Sequence, residues 1–159
     1  MKVSLTLNGR AQELEAMPAE NLLTMLRAAR QFSVKLGCET GDCGSCTVHL
    51  NGQPVNSCVV AAAQAHQQSV TTLEGLLNDP LMNRIQEAMV AESGIQCGYC
   101  TPGILMSLYF HFKAEDAWDE HALREALTGN LCRCTGYVKP IAAALSVAKS
   151  LSEAGGKQT

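Results

Sequence analysis

Eight cysteines carry most of the chemistry available to this 159-residue chain, and they fall into two groups of four. Cys38, Cys43, Cys46 and Cys58 follow C-x4-C-x2-C-x11-C. Three thiols packed so closely require a loop that wraps its ligand, and C-x4-C-x2-C…C is the spacing of plant-type [2Fe–2S] sites. Such a cluster takes four thiolates, because each iron completes a tetrahedron from two bridging sulfides and two cysteinates. Gly37, Gly41 and Gly44 offer the positive φ and close backbone approach that a wrapping loop needs. Zinc is the competing ligand, but it favours paired C-x2-C knuckles or Cys/His mixtures. Inert buried thiols would not gather with glycines.

The second group is Cys97-Gly98-Tyr99-Cys100 with Cys132-Arg133-Cys134, or C-x2-C-x31-C-x-C. Cys97 and Cys100 run straight into Thr101-Pro102, a helix start whose positive end favours thiolates and an anionic cluster. Cys132 and Cys134 are two apart, so a strand would send them to opposite faces and a helix about 200° around. Only an irregular turn aims both at one ligand, and Gly129-Asn130 and Gly136 provide one. On spacing alone, this quartet suits a structural zinc ion as well as an iron–sulfur cluster.

The elements that must hold these loops follow from the hydrophobic pattern. Val3, Leu5 and Leu7 alternate up to Asn8-Gly9, a hairpin turn, and a second strand follows to about Ala16. Pro18 opens a helical pattern with Leu22, Leu23, Leu26 and Ala29 on one face. Residues 47–50 meet a second hairpin turn at Asn51-Gly52, which returns a strand from Gln53 and brings Cys58 back beside the loop. An Ala-rich segment precedes a last strand over 70–73. The first half is therefore a small mixed sheet crossed by one helix.

Beyond Gly75 the pattern becomes helical. Asp79-Pro80 caps a helix with Leu81, Ile85 and Met89 at i, i+4. Thr101-Pro102 opens a second through Phe112, Asp119 to Leu127 forms a third, and Pro140 starts a fourth through Leu151. The fold class is α+β, with residues 1–76 one domain, 77–159 a four-helix bundle, and a frayed tail from about 152.

Composition narrows the function classes. Net charge is −3, with 12 Lys+Arg against 15 Asp+Glu and no basic stripe, which argues against nucleic-acid binding. No stretch approaches the roughly 18 apolar residues of a membrane span, and the alternating N-terminus is unlike a signal peptide. A cytoplasmic, reducing setting follows, in which eight cysteines do not make four disulfides. His49, His66, His111 and His121 are scattered and read as surface or helix-face residues. Glu115-Asp116 and Asp119-Glu120 flank a helix start and read as caps and dipole partners. Trp118, Tyr99 and Tyr137 suit either a subunit interface or a core short of aromatics. No G-x-G-x-x-G fingerprint or P-loop is present, and no residue of the chain is assigned a catalytic role.

Gln96-Cys97-Gly98-Tyr99-Cys100-Thr101-Pro102-Gly103, followed by Gly129-Asn130-Leu131-Cys132-Arg133-Cys134-Thr135-Gly136-Tyr137, resembles the signature of the molybdenum hydroxylases, the xanthine oxidase family. Residues 37–48 resemble that family's ferredoxin-type motif. The resemblance spans nearly the whole chain, in order. It implies an iron–sulfur small subunit, with a β-grasp plant-type ferredoxin domain followed by a helical domain, each holding a [2Fe–2S] cluster. The bundle cluster would lie nearer a molybdenum–pterin cofactor in a large subunit, and the ferredoxin-type cluster toward FAD in a medium subunit. Such heterotrimers could themselves pair.

Carried over residue by residue, the resemblance makes Gln96 a hydrogen-bond partner of the pterin. It makes Cys134 both an iron ligand and the point of electron entry. Asn130 and Arg133 keep plainer roles, a turn-former and a charge partner to an anionic cluster. The expected function is relay of single electrons from molybdenum to flavin, at potentials near about −400 mV for plant-type centres. A purine or other N-heteroaromatic is the favoured substrate of the assembly. Aldehyde or carbon monoxide dehydrogenases of the same family, and a free two-cluster carrier, are the alternatives; a charge of −3 does not favour the carrier.

Overall fold

The computed structural model describes residues 1–114 and 117–155; Glu115, Asp116 and the expected tail residues 156–159 lie outside the described residues. Five strands, β1 (Lys2–Leu7), β2 (Arg10–Glu15), β3 (Thr47–Leu50), β4 (Gln53–Asn56) and β5 (Ser69–Thr71), form one sheet in the order β2-β1-β5-β3-β4. β1 and β5 run parallel, and the other neighbours are antiparallel. Both hairpins turn at Asn-Gly, with Asn8 and Asn51 each at φ 51° and the following glycines also at positive φ, the combination a two-residue primed turn requires.

α1 (Leu22–Ala28) lies across the sheet. Its Leu22, Leu23 and Leu26 close one core with Val3, Leu5, Leu7, Val48 and Val70, in the manner of a β-grasp. Pro18 does not begin this helix. Asn21 caps it, Oδ1 accepting from Thr24 N at 2.9 Å, while Met17 N donates to Glu20 Oε2 and closes a turn over the proline.

Four helices follow: α2 (Pro80–Ala91), α3 (Thr101–Lys113), α4 (Glu120–Ala126) and α5 (Val138–Gly155). Met82, Ile85, Met89, Ile104, Leu108, Leu123, Ile141 and Val147 fill a second, separate core. Asp79 and Asp119 cap α2 and α4 as the pattern indicates. α5 starts at Val138 rather than Pro140, because a proline in the first turn loses no helical hydrogen bond. It also continues through residues 152–154, where the reading above begins a frayed tail.

The two units meet through β3 and α3. Side chains on a strand alternate between faces. Val48 therefore enters the α1 core, and its neighbours Thr47 and His49 turn toward the helical unit, where they are also buried.

Candidate metal centres

In the first quartet, the loop folds its own N–H groups onto sulfur. Thr40 N and Cys43 N donate to Cys38 Sγ at 3.4 and 3.3 Å, and Cys38 N donates to Cys43 Sγ at 3.4 Å. The Thr40 hydroxyl, then the Thr40 and Cys43 N–H groups, lower the Cys38 pKa to about 6, since a donor to sulfur favours the thiolate. Gly37 is needed for space, not for its φ: a Cβ there would sit 2.5 Å from Cys43 Sγ. Gly41 and Gly44 do take positive φ, and so does Glu39 at 60°. Cys58 reaches the loop from a single 3-10 turn after β4 and neighbours Cys46. Both are buried, and burial, with Cys46 alongside, pushes the Cys58 thiol up to about 11.

The second quartet joins two loops. Cys100 stands at the N-cap of α3, half-buried beside Cys132. Burial, together with that neighbour, pushes Cys100 up to about 12. Cys134 and Cys97 are both exposed, with their sulfurs 3.6 Å apart. The C-x-C turn is locked by residues around it. Thr135 Oγ1 donates to Cys132 Sγ at 3.0 Å, and the Tyr137 hydroxyl accepts from Cys132 N and donates to Asn130 O, each at 2.9 Å. Burial opposes the Cys132 thiolate, but the Thr135 hydroxyl and neighbouring N–H groups outweigh it, leaving the pKa below its ordinary value. Gln96 is exposed, and its Nε2 donates to Cys134 O at 3.2 Å, tying one loop to the other.

The cysteines thus associate in twos: Cys97 with Cys134 through their sulfurs, Cys46 beside Cys58, Cys100 beside Cys132, and Cys38 with Cys43 through reciprocal N–H···S bonds. Among the described residues, no three Cys, His, Asp or Glu side chains gather closely enough to hold one ion. A zinc site needs four donors converging on a point, whereas two irons bridged by sulfide ask for two pairs of thiolates. The donor set, its pairing and the N–H groups aimed at Cys38 and Cys43 fit a [2Fe–2S] group in the first loop. The same pairing fits one in the second. Binding would displace the remaining thiol protons.

Several contributors escape the sequence reading. His49 is buried against α3, not on the surface, with Nε2 2.9 Å from Met106 O and its ring stacked on Tyr109. Asn130 is buried too, and bonds across to Gly44 of the first loop and to Ser107 of α3. Thr40, Thr135 and Tyr137 serve sulfur or the ligand turn. For Thr40 and Thr135, a hydroxyl two or three residues from a cysteine was the available signal. Trp118 packs edge-on against Phe112 within the bundle, and Arg133 is exposed.

Comparison with known proteins assigns both halves. Residues 5–73 match the 2Fe-2S iron-sulfur cluster binding domain, and residues 72–145 match the [2Fe-2S] binding domain. The chain is 42% identical to the nicotinate dehydrogenase small FeS subunit of Eubacterium barkeri, covering 86% of this chain and 88% of that one. It is 38% identical to the xanthine dehydrogenase iron-sulfur-binding subunit of Escherichia coli O157:H7, over 85% and 86%. A solved structure, quinoline 2-oxidoreductase from Pseudomonas putida 86, superposes with a TM-score of 0.89 at 35% identity, over 99% of this chain and 98% of that one.

Proposed function

The chain belongs to the iron–sulfur small subunits of the molybdenum hydroxylase (xanthine oxidase) family of oxidoreductases, and from that we propose that it relays single electrons between a molybdenum centre and a flavin held by partner subunits. The observation that carries the reading is the two-by-two association of both cysteine quartets in one compact chain. Each [2Fe–2S] cluster supplies one-electron chemistry when bound.

This chain's own residues do the rest. The loop over 37–46 directs N–H groups at Cys38 and Cys43, the kind of bond that tunes a cluster's potential. Cys38, Cys43, Cys46 and Cys58 would hold the first cluster; Cys97, Cys100, Cys132 and Cys134 would hold the second. Cys97 and Cys134 are exposed, so the second site has the open side suited to a large molybdenum-binding subunit. Gln96 lies on that same side, where it can meet a pterin. No described helix is long and apolar enough to cross a membrane. Eight cysteines with no disulfide among them suit a reducing compartment such as the cytoplasm.

Nicotinate, xanthine and quinoline, named in the relatives, are all N-heteroaromatics, which supports that substrate class for the assembly. The test is a metal count on the native complex. About four irons per copy of this chain, with molybdenum and flavin in larger partners, is the expected result. Zinc in the second quartet would overturn the relay. Cys134→Ser should remove the bundle-cluster signal and stop turnover while leaving the ferredoxin-type signal. Normal turnover with both signals intact would refute the ligand assignment. Gln96→Ala should keep both clusters but loosen the pterin, and unchanged cofactor retention would return Gln96 to a loop-tying amide.

A further inference from the structure

We propose that Asn130 is a positioning residue for transfer between the two clusters: its carboxamide clamps one ligand loop to the other and sets their spacing. The proposal rests on the relay reading above. Asn130 is 3% exposed. Its Nδ2 donates to Gly44 O at 3.1 Å and reaches Thr47 Oγ1 at 3.4 Å, while its Oδ1 accepts from Ser107 Oγ at 2.7 Å. A turn-forming asparagine uses its side chain within its own loop. This one bonds to the first cysteine loop and to α3, and nothing local.

The placement gives the clamp its consequence. Gly44 follows Cys43, and Asn130 stands two residues before Cys132. Between them Leu131 N donates to Cys43 O at 2.8 Å. A ligand of one cluster is therefore joined to the neighbour of a ligand of the other by one hydrogen bond. The backbones approach closely enough for that bond because no side chain intervenes. A Cβ on Gly44 would fall 2.1 Å from Gly129 O, and one on Gly103 would fall 2.2 Å from Gly44 O. The glycines permit the contact but do not hold it. The Asn130 carboxamide holds it together with the Leu131–Cys43 bond, and releasing that carboxamide would leave a buried amide without partners.

The test uses electron paramagnetic resonance on the native complex, fully reduced, where two nearby paramagnetic clusters split one another's signals. Wild-type complex should show two centres with mutual splitting. Asn130→Leu, similar in size but without hydrogen bonds, should keep both centres and full iron content yet lose the splitting and slow electron transfer between them. Ser107→Ala, which removes only the outer partner, should weaken the splitting partway. A merely structural role would lower melting temperature and iron content without changing the splitting of loaded molecules. Loaded Asn130→Leu with wild-type splitting overturns the proposal. If that variant does not load, unchanged splitting in Ser107→Ala overturns it and weakened splitting supports it. Wild-type complex without two [2Fe–2S] signals would overturn the relay reading itself, and the clamp with it.

Discussion

The two cysteine quartets reach similar pairing by opposite routes. The first is nearly self-contained: three cysteines share one loop, the fourth returns from a hairpin, and two of its sulfurs accept N–H groups from that same loop. The second has no such continuity. Its two loops are separated by 31 residues in sequence and meet because the helices that carry them pack around one core, with Gln96 tying one loop to the other. Its outer pair, Cys97 and Cys134, remains exposed, whereas Cys46 and Cys58 are buried. A contiguous loop encodes its site locally. A split site inherits the stability of the helices that carry it, and in exchange presents sulfur at the surface.

Loosening the bundle should therefore separate the two sites. Leu108 is fully buried on α3 among residues from the helical core. Leu108→Ala should cost about 2–5 kcal/mol of stability, expressed mainly in the helical unit because the two cores are separate. Visible circular dichroism and iron content should show loss of the second cluster ahead of the first as temperature rises. Simultaneous loss of both would break the comparison, and would mean that docking through β3 and α3 makes the chain one cooperative unit.

What could be read from the sequence divides along the same line. The Asn-Gly hairpins, the Asp79-Pro80 and Asp119 starts and both cysteine loops announce themselves, because each depends on residues within a few positions. Pro18 suits a first helical position and so points to an early start for α1, while the true cap at Asn21 shows itself only when its Oδ1 meets Thr24 N. His49, expected on the surface or a helix face, and Asn130, expected only to form a turn, are buried for a deeper reason. Their partners, Met106 O for one and Gly44 O for the other, lie 57 and 86 residues away. Burial produced by docking two units leaves no local pattern. For His49, a polar residue between buried Val48 and half-buried Leu50 on β3 was the hint, and alternation alone assigns it to the open face.

A gentler perturbation sharpens the contrast. Asp79 caps α2, accepting from Leu81 N and Met82 N at 2.9 and 3.1 Å and from the Tyr109 hydroxyl of α3 at 2.9 Å. Burial works to raise its pKa, but these donors, with Lys113 nearby, outweigh it and hold the carboxyl below its ordinary 3.8. A carboxylate depressed in the folded state stabilises fully above its unfolded pKa and loses that contribution as pH falls through the folded value. Asp79→Ala should cost about 0.5–2 kcal/mol at neutral pH. Urea melts of wild type and variant should draw together as pH falls below the ordinary 3.8 and through the lower folded-state value. A gap that persists there would assign the effect to packing, not charge. Iron should again leave the second quartet before the first.

The smallest effect lies on the seam between the two units. His49 is buried, and desolvation lowers its pKa from 6.5 despite the hydrogen bond to Met106 O. The imidazole therefore sits neutral, with Nε2–H donating to the carbonyl and the ring against Tyr109 and Phe110. Unfolding lets it take up a proton near its ordinary pKa. Its contribution is complete above 6.5 and drains away as pH descends from there to the lower folded-state value. Because the ring spans β3 and α3, that loss should fall on docking and leave each core intact. His49→Gln can keep a donor for Met106 O but does not titrate. Melting temperatures compared at about pH 7.5 and about pH 5.5 should drop less for the variant than for wild type. Equal drops would mean that the seam stays closed on acidification, and that the units separate for reasons other than this histidine.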